Sequence, residues 1–499
     1  GTGIGDGNRL EVEFVTLRAE NTSIAGDIDL LEMAGDIAIT GLLQTHSGST
    51  GSVSIETSDG DITVNTDGVV LSGTGDILIV AAGTTRDITL NAEISTGAGD
   101  IQILATGTVN QNVVIETGVG FVRISAAAGN IEMAGATSTS TGGGNLRLDA
   151  GVTINAINLS SAGGFVTLLA GTDVNLGGNI LSGAGTIDLL ASTGSITMLD
   201  SAVLQSEAAN IRLFADQNLI LGQVDARTAA DRSATTLAEH ASWGAVSIAA
   251  TNGMVSDATV ATDSTIDVYA STLRIVAGAA IARNTNHLET EVQQLATVAG
   301  TGGVFIANTQ ALEITTIGLT PISRVETDGS TTSVEDTAVL AGVSGGADIS
   351  VTAGAGDLVV TEAINLTAAG NMLLESQSGD VTLNNTVTAA TGNISVLAEG
   401  SVAIDGNLIT GNGLGAVSGT IDLNASTGSV SIGELITVQS DQADIRILAD
   451  GDVSLGLVDA RTATGRVAGT NVDQAGWGAI SITSISGSIG DVSVTGTDI

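Results

Sequence analysis

The sequence predicts an all-β chain, a right-handed parallel β-helix (β-solenoid) of about 21–24 residues per coil. Three observations carry this: a short strand motif that recurs with period-two alternation, a nearly constant distance between recurrences, and a composition suited to thin cores. The composition comes first. Of 499 residues, 67 are Gly, only one (Pro321) is Pro and none is Cys, while aromatics make up 2%. A globular protein of this length builds bulky cores with Phe, Tyr and Trp. Here 43% of residues are hydrophobic but they are mostly Val, Ile, Leu and Ala, so the chain is ordered rather than disordered. Small and β-branched side chains in such numbers fit a narrow core repeated many times.

The strands follow in order. "GDIDL" (26–30), "GDIAI" (35–39), "GSVSI" (51–55), "GDITV" (60–64), "GDILI" (75–79), "RDITL" (86–90) and "GDIQI" (99–103) each place apolar residues two apart. One face of each is buried and the other wet. The first apolar residues Val166, Val174, Ile187, Ile196, Ile211 and Leu219 alternate short and long steps, as do Met372, Val381, Ile394, Val402, Ile421, Val430, Ile445 and Val453. A short and a long step usually sum to 21–24 residues, the constant coil length of a solenoid. Each coil is expected to give one strand to each of two or three parallel sheets, with Gly, Asn and Asp at the corners. Proline is scarce because nearly every N–H belongs to a ladder. Roughly 20 coils stacked about 4.8 Å apart make a rod on the order of 100 Å long.

A longer repeat overlies the coils. "GTIDLLASTGSITM" (185–198) returns as "GTIDLNASTGSVSI" (419–432), and "VDARTA" (224–229) and "WGAVSI" (243–248) return as "VDARTA" (458–463) and "WGAISI" (477–482), all displaced by 234. Upstream, about six extra residues around "GNGLGA" change the displacement to 228. Further upstream, "GSVSIETSDGDITV" (51–64) matches "ADISVTAGAGDLVV" (347–360). The chain thus divides into a first solenoid module, 1–270, and an incomplete tandem copy, 271–499, expected to run on as one rod. Its ends, "GTGIGDGNRLEVEF" and "VSVTGTDI", read as those of a segment of a longer protein.

Two stretches break the rhythm, near 223–242 and 457–476. They are expected to be excursions, each a loop or short helix laid against a sheet face. Both keep an Asp, two Arg and a Trp: Asp225, Arg227, Arg232 and Trp243 in the first, and Asp459, Arg461, Arg466 and Trp477 in the second. Between the copies Asp231 becomes Gly465, Glu239 becomes Asp473 and His240 becomes Gln474. A catalytic site would not lose its histidine between copies. The role expected is architectural, with Arg227 and Arg461 pinning the excursion to nearby Asp or backbone carbonyls and the tryptophans covering its return.

Charge and motifs restrict function. The formal net charge is −40 with all 14 basic residues arginine, which argues against nucleic acid and anionic membrane surfaces. No apolar stretch approaches the ~20 residues of a membrane span. The "GxGD" strings suggest weak calcium sites at Asp76, Asp100 and Asp357, since calcium takes oxygen ligands. They lack the tandem nonapeptide of calcium β-rolls, so the alternative is an Asp bonding its own turn. No other cofactor is expected. His46, His240 and His287 stand apart, and no Ser-His-Asp set, phosphate loop or zinc spacing occurs. Glycan cleavage needs two facing carboxylates, whereas acidic residues here are scattered singly.

Strings such as "GDILIVAAGTTRDITLNAEISTGAGDIQILATG" and "GNISVLAEGSVAIDGNLITGNG" resemble the filamentous-haemagglutinin-type repeats of very large bacterial surface proteins and adhesins. The resemblance implies a right-handed parallel β-helix, an extracellular place on the bacterial cell surface, and adhesive or filament-forming work without catalysis. End-to-end or lateral contacts with other copies, or with further repeats of the same chain, are the partners expected. The alternatives are a glycan-binding or glycan-cleaving β-helix, which would take a surface glycan, and a calcium-stiffened surface-layer or matrix protein.

Overall fold

The computed structural model describes residues 3–5, 7–233, 240–259, 265–411, 419–467 and 474–492. They form a parallel β-solenoid of about 19 turns, about 23 residues to the turn, with almost no helix. The GNGLGA insertion lies mostly outside the described residues, as do the middles of both excursions, 234–239 and 468–473. Cα packing divides the chain into two compact units, Gly1–Ala245 with Thr320–Glu335, and Val246–Leu319 with Asp336–Ile499.

In the first unit each turn supplies three strands. Ile101–Ala105, Val109–Gln111 and Ile115–Thr117 make one such turn. Each strand pairs in parallel with its equivalent one turn away: Ile101 with Ile77 and Val122, Val109 with Ile88 and Ile131, Ile115 with Ile94 and Thr139. Register is set by the inward residues. Val53, Ile77, Ile101, Val122, Leu146, Val166, Ile187 and Ile211 form one column, and all are buried. Burial of each such side chain contributes about 1.5–3 kcal/mol before chain entropy is counted. A one-residue slip would turn the whole column to solvent.

The corners require glycine. A Cβ on Gly99 would lie 2.0 Å from the carbonyl oxygen of Gly75, and one on Gly164 would lie 2.1 Å from that of Gly144. No side chain fits such an approach between turns. The inward residue beside these corners is Thr or Ser, whose hydroxyl donates to a corner carbonyl. Thr96 bonds Gly75 O, Thr117 bonds Gly99 O and Ser182 bonds Gly185 O.

The second unit repeats the plan. Ile349, Met372, Ile394, Ile421, Ile445 and Ile480 stack in register. It also contains the two longest strands, Val268–Ala277 and Leu288–Ala299, paired in parallel from Val268 with Thr290 to Ala277 with Ala299. From Val304 the first-sheet ladder passes to Ile349. The chain between them leaves the coil through a short antiparallel pair, Thr316–Ile317 with Leu340–Ala341.

Beyond that pair, residues 320–335 belong to the first unit, where they form an antiparallel hairpin, Ile322–Val325 with Thr331–Val334. The hairpin lies over the outer face of the first sheet. Arg324 Nε donates to Asp188 Oδ2 at 2.6 Å, Val325 N to Thr167 Oγ1 at 2.9 Å, and Asn145 Nδ2 to Gly329 O at 2.8 Å. Asp188 also holds Arg212, at 2.9 Å, and is fully buried between the two arginines. Sequence reasoning did not find this arm. Its signals were Pro321 and the Asp328-Gly329 turn between two β-rich runs.

Candidate functional site

The two excursions share one frame. In the first, strand Gln223–Asp225 ends in Asp225, whose side chain is only 2% exposed. Asp225 accepts hydrogen bonds from Arg227 N, Nε and Nη2 at 2.9, 3.0 and 2.7 Å, and from Arg232 Nη1 at 3.3 Å. Arg232 also donates to the carbonyls of Ser206 and Arg227. Thr228 caps the helical turn Ala229–Ser233: its Oγ1 accepts from Asp231 N and donates to Asp231 Oδ2. Trp243 Nε1 donates to the same carboxylate at 2.7 Å. The Arg227 guanidinium stands 6.0 Å from the indole centroid, and His240 meets the ring edge-on at 4.5 Å. The Thr228 hydroxyl, then the Trp243 N–H, hold the Asp231 carboxyl below the usual carboxylate range.

In the second, Asp459 binds Arg461 N, Nε and Nη2 at 2.9, 3.0 and 2.8 Å, and Arg466 Nε at 3.1 Å. Burial pushes the Asp459 carboxyl up, but the Arg461 hydrogen bonds and the two guanidinium charges outweigh it, and the net shift is downward. Arg466 also reaches the buried Asp441 and the carbonyls of Ser440 and Arg461. Gly465 stands where the first copy has Asp231, and the buried Trp477 Nε1 has no hydrogen-bond partner among the described residues. Sequence reasoning missed Asp231 and Asp441. Glu239 and Asp473 lie outside the described residues.

Asp76 and Asp100 stand on successive turns of the first unit, and Asp357 lies in the second. Each carboxylate accepts a backbone N–H from the next turn, not from its own: Asp76 from Asp100 N at 2.8 Å, Asp100 from Phe121 N at 2.8 Å, and Asp357 from Asp380 N at 2.9 Å. Parallel stacking puts that N–H nearer than any local one. The pattern continues from Asp36 to Asp61 N, Asp61 to Asp87 N and Asp87 to Thr108 N, and from Asp380 to Ser401 N. The recurring "GD" is a ladder that stitches turn to turn.

One cluster gave no sequence signal. In the second unit Asp257, Asp267 and Glu289 each place a carboxylate oxygen within 4.8 Å of the others'. They come from three passes of chain: the end of strand Val255–Asp257, the residue before Val268–Ala277, and the start of Leu288–Ala299. Asp267 is 4% exposed and its Oδ2 accepts Glu289 N at 3.0 Å. Burial, then the Asp257 charge, push the Asp267 carboxyl up to about 9. Asn286 Nδ2 donates to Asp257 Oδ2 at 2.9 Å and to Thr259 O at 3.0 Å. Asn286 itself is buried, and its Oδ1 has no hydrogen-bond partner among the described residues. These acids lie far apart in sequence, so only the coil brings them together.

No protein-family model matches the chain, and no curated protein or solved structure matches it at a significant level.

Proposed function

We propose that the chain is a structural, non-catalytic repeat segment of a large extracellular bacterial protein, forming a stiff adhesive or filamentous rod at the cell surface. The observation that carries this reading is the use of charge. Thirteen of the fourteen arginines are ion-paired to Asp or Glu. Several pairs join one turn to the next, such as Arg9 with Asp29, Arg123 with Asp149 and Arg446 with Asp422. The acidic ladder does the same through backbone N–H groups. Individually such pairs contribute little, but together with the aspartate ladder they fasten many successive turns and resist bending and slippage between coils. The remaining negative charge, net −40, keeps neighbouring rods apart laterally. Further coils of the same protein, or a second copy end to end, are the partners of this reading, because a solenoid's terminal coils offer open ladder groups.

Negative-stain electron microscopy of the purified chain tests the reading. Elongated particles on the order of 100 Å, one coil rise of about 4.8 Å per turn, are expected; compact globules would overturn it. Release of reducing ends from a glycan panel would overturn the non-catalytic part and favour a glycan-active β-helix.

A further inference from the structure

We propose that Asp257, Asp267, Glu289 and the side-chain oxygen of Asn286 bind one calcium ion. The donor set is all hard oxygen, three carboxylates and an amide, which is calcium chemistry and not that of a soft or nitrogen-seeking metal. The three carboxylate oxygens lie within 4.8 Å of one another, close enough for one hard cation to touch all of them. Magnesium keeps several of its waters and is seldom held by an all-protein set, so three carboxylates and an amide favour calcium. Bidentate carboxylates and water complete the six to eight ligands calcium takes.

Asn286 is the independent sign of a ligand. The residue is only 7% exposed, and among the described residues its Oδ1 has no hydrogen-bond partner. Buried amide oxygens are almost always satisfied. Its own Nδ2 grips Asp257 Oδ2, so on the same planar group Oδ1 is held within about 5 Å of that carboxylate. A cation between them satisfies the oxygen and the acids together. Charge agrees. The buried Asp188, Asp225, Asp441 and Asp459 are each paired to arginine, yet among the described residues no arginine is bonded to Asp257 or Asp267, which are also buried.

The site lies in the second unit, where the longest strands begin. A bound ion ties together three passes of chain through Asp257, Asp267 and Glu289. The inference does not depend on the rod reading above, since a cation can brace this coil whatever the chain does outside it.

Terbium, a luminescent calcium mimic, provides the test on the full chain. Tyr269 is the only tyrosine and lies two residues beyond Asp267, at the start of the strand Val268–Ala277. Excitation of the aromatics is expected to give terbium emission that saturates at one equivalent and is displaced by calcium. Asp267→Asn and Glu289→Gln are each expected to abolish it, while Asp76→Asn and Asp100→Asn leave it unchanged. Tyr269→Phe should dim the emission without removing the calcium effect on melting. That effect is an upward shift of the midpoint by about 2–4 °C in calcium relative to EDTA, absent in Asp267→Asn. Should Asp267→Asn fail to fold, Glu289→Gln and the wild-type chain in EDTA still decide. An unchanged wild-type midpoint with no emission overturns the proposal, as does emission that survives Glu289→Gln.

Discussion

The two excursions are copies of one device with different fastenings. Each hangs an Arg-rich turn on a buried Asp at a strand end, Asp225 or Asp459, and each brings its chain back through a Gly N–H to the residue after that Asp: Gly244 to Ala226 O at 2.9 Å, Gly478 to Ala460 O at 3.0 Å. The differences are at the rim. The first copy closes with Asp231 between Thr228 and Trp243. The second has Gly465 there, leaves Trp477 Nε1 without an acceptor, and recruits Asp441 to Arg466 instead. The Asp–Arg hub is therefore the architectural requirement, and the tryptophan clasp is an elaboration that one copy lacks. A binding pocket would keep its rim and vary its scaffold; these loops do the reverse.

The strongest test removes the hub. Asp225→Ala leaves Arg227 and Arg232, both part-buried, without their carboxylate, and is expected to cost about 3–5 kcal/mol locally. Asp459→Ala should cost less, about 1–3 kcal/mol, because Arg466 keeps Asp441 and Arg461, 38% exposed, returns to water. Native-state hydrogen exchange at the Gly244 and Gly478 amides reads the two losses separately. Equal losses would break the distinction between the copies.

How much of this was readable depends on the range over which each feature is encoded. Inward columns such as Val53 to Ile211 need apolar alternation within five residues, so the sequence carries the coil openly. The third strand of each turn is harder to see. In Ser138–Thr141 the buried positions are Thr139 and Thr141, whose hydroxyls bond the buried Gln111 side chain and the Gly144 corner carbonyl, so hydrophobic alternation vanishes there. The "GD" aspartates were recognisable as structural, but a local turn bond was expected where the stack offers the next coil's N–H. Asp225 with Arg227, two residues apart, was legible. Asp441 with Arg466, Arg324 with Asp188, and Asp257 with Glu289 were not, because coil length and the arm decide those meetings.

The tryptophans give an opposite-sign test. Trp243→Phe deletes an N–H that has an acceptor and is expected to cost about 0.5–1.5 kcal/mol beyond the shape change. Trp477→Phe deletes a buried N–H that has none, and should be neutral or stabilising by comparison. Gly465→Asp then rebuilds the clasp. A Cβ at Gly465 stands 3.1 Å from Trp477 Nε1 and 3.0 Å from Thr462 Oγ1, and Thr462 Oγ1 already accepts Gly465 N as Thr228 Oγ1 accepts Asp231 N. A gain of about 0.5–1.5 kcal/mol is expected, read as increased protection of the Gly478 amide. A loss would mean that the second loop has repacked around its glycine.

The smallest effect is spectroscopic and depends on pH. Thr228 and Trp243 bond the charged form of Asp231 and depress its carboxyl in the folded loop. The stabilisation is therefore whole above the ordinary carboxylate value, about 3.9, and is lost as pH falls through the lower folded value. In a Trp477→Phe background, Trp243 emission is expected to titrate with a midpoint below that ordinary value, as its indole N–H loses an anionic acceptor. In a Trp243→Phe background, Trp477 has no carboxylate on its N–H, and its emission should stay flat until protonation of Asp459, also depressed, opens the hub itself. Adding Gly465→Asp to that second background should transfer the first copy's titration to Trp477. A flat Trp243 profile would show that the clasp contributes nothing to the folded loop, and that the hub alone holds both copies.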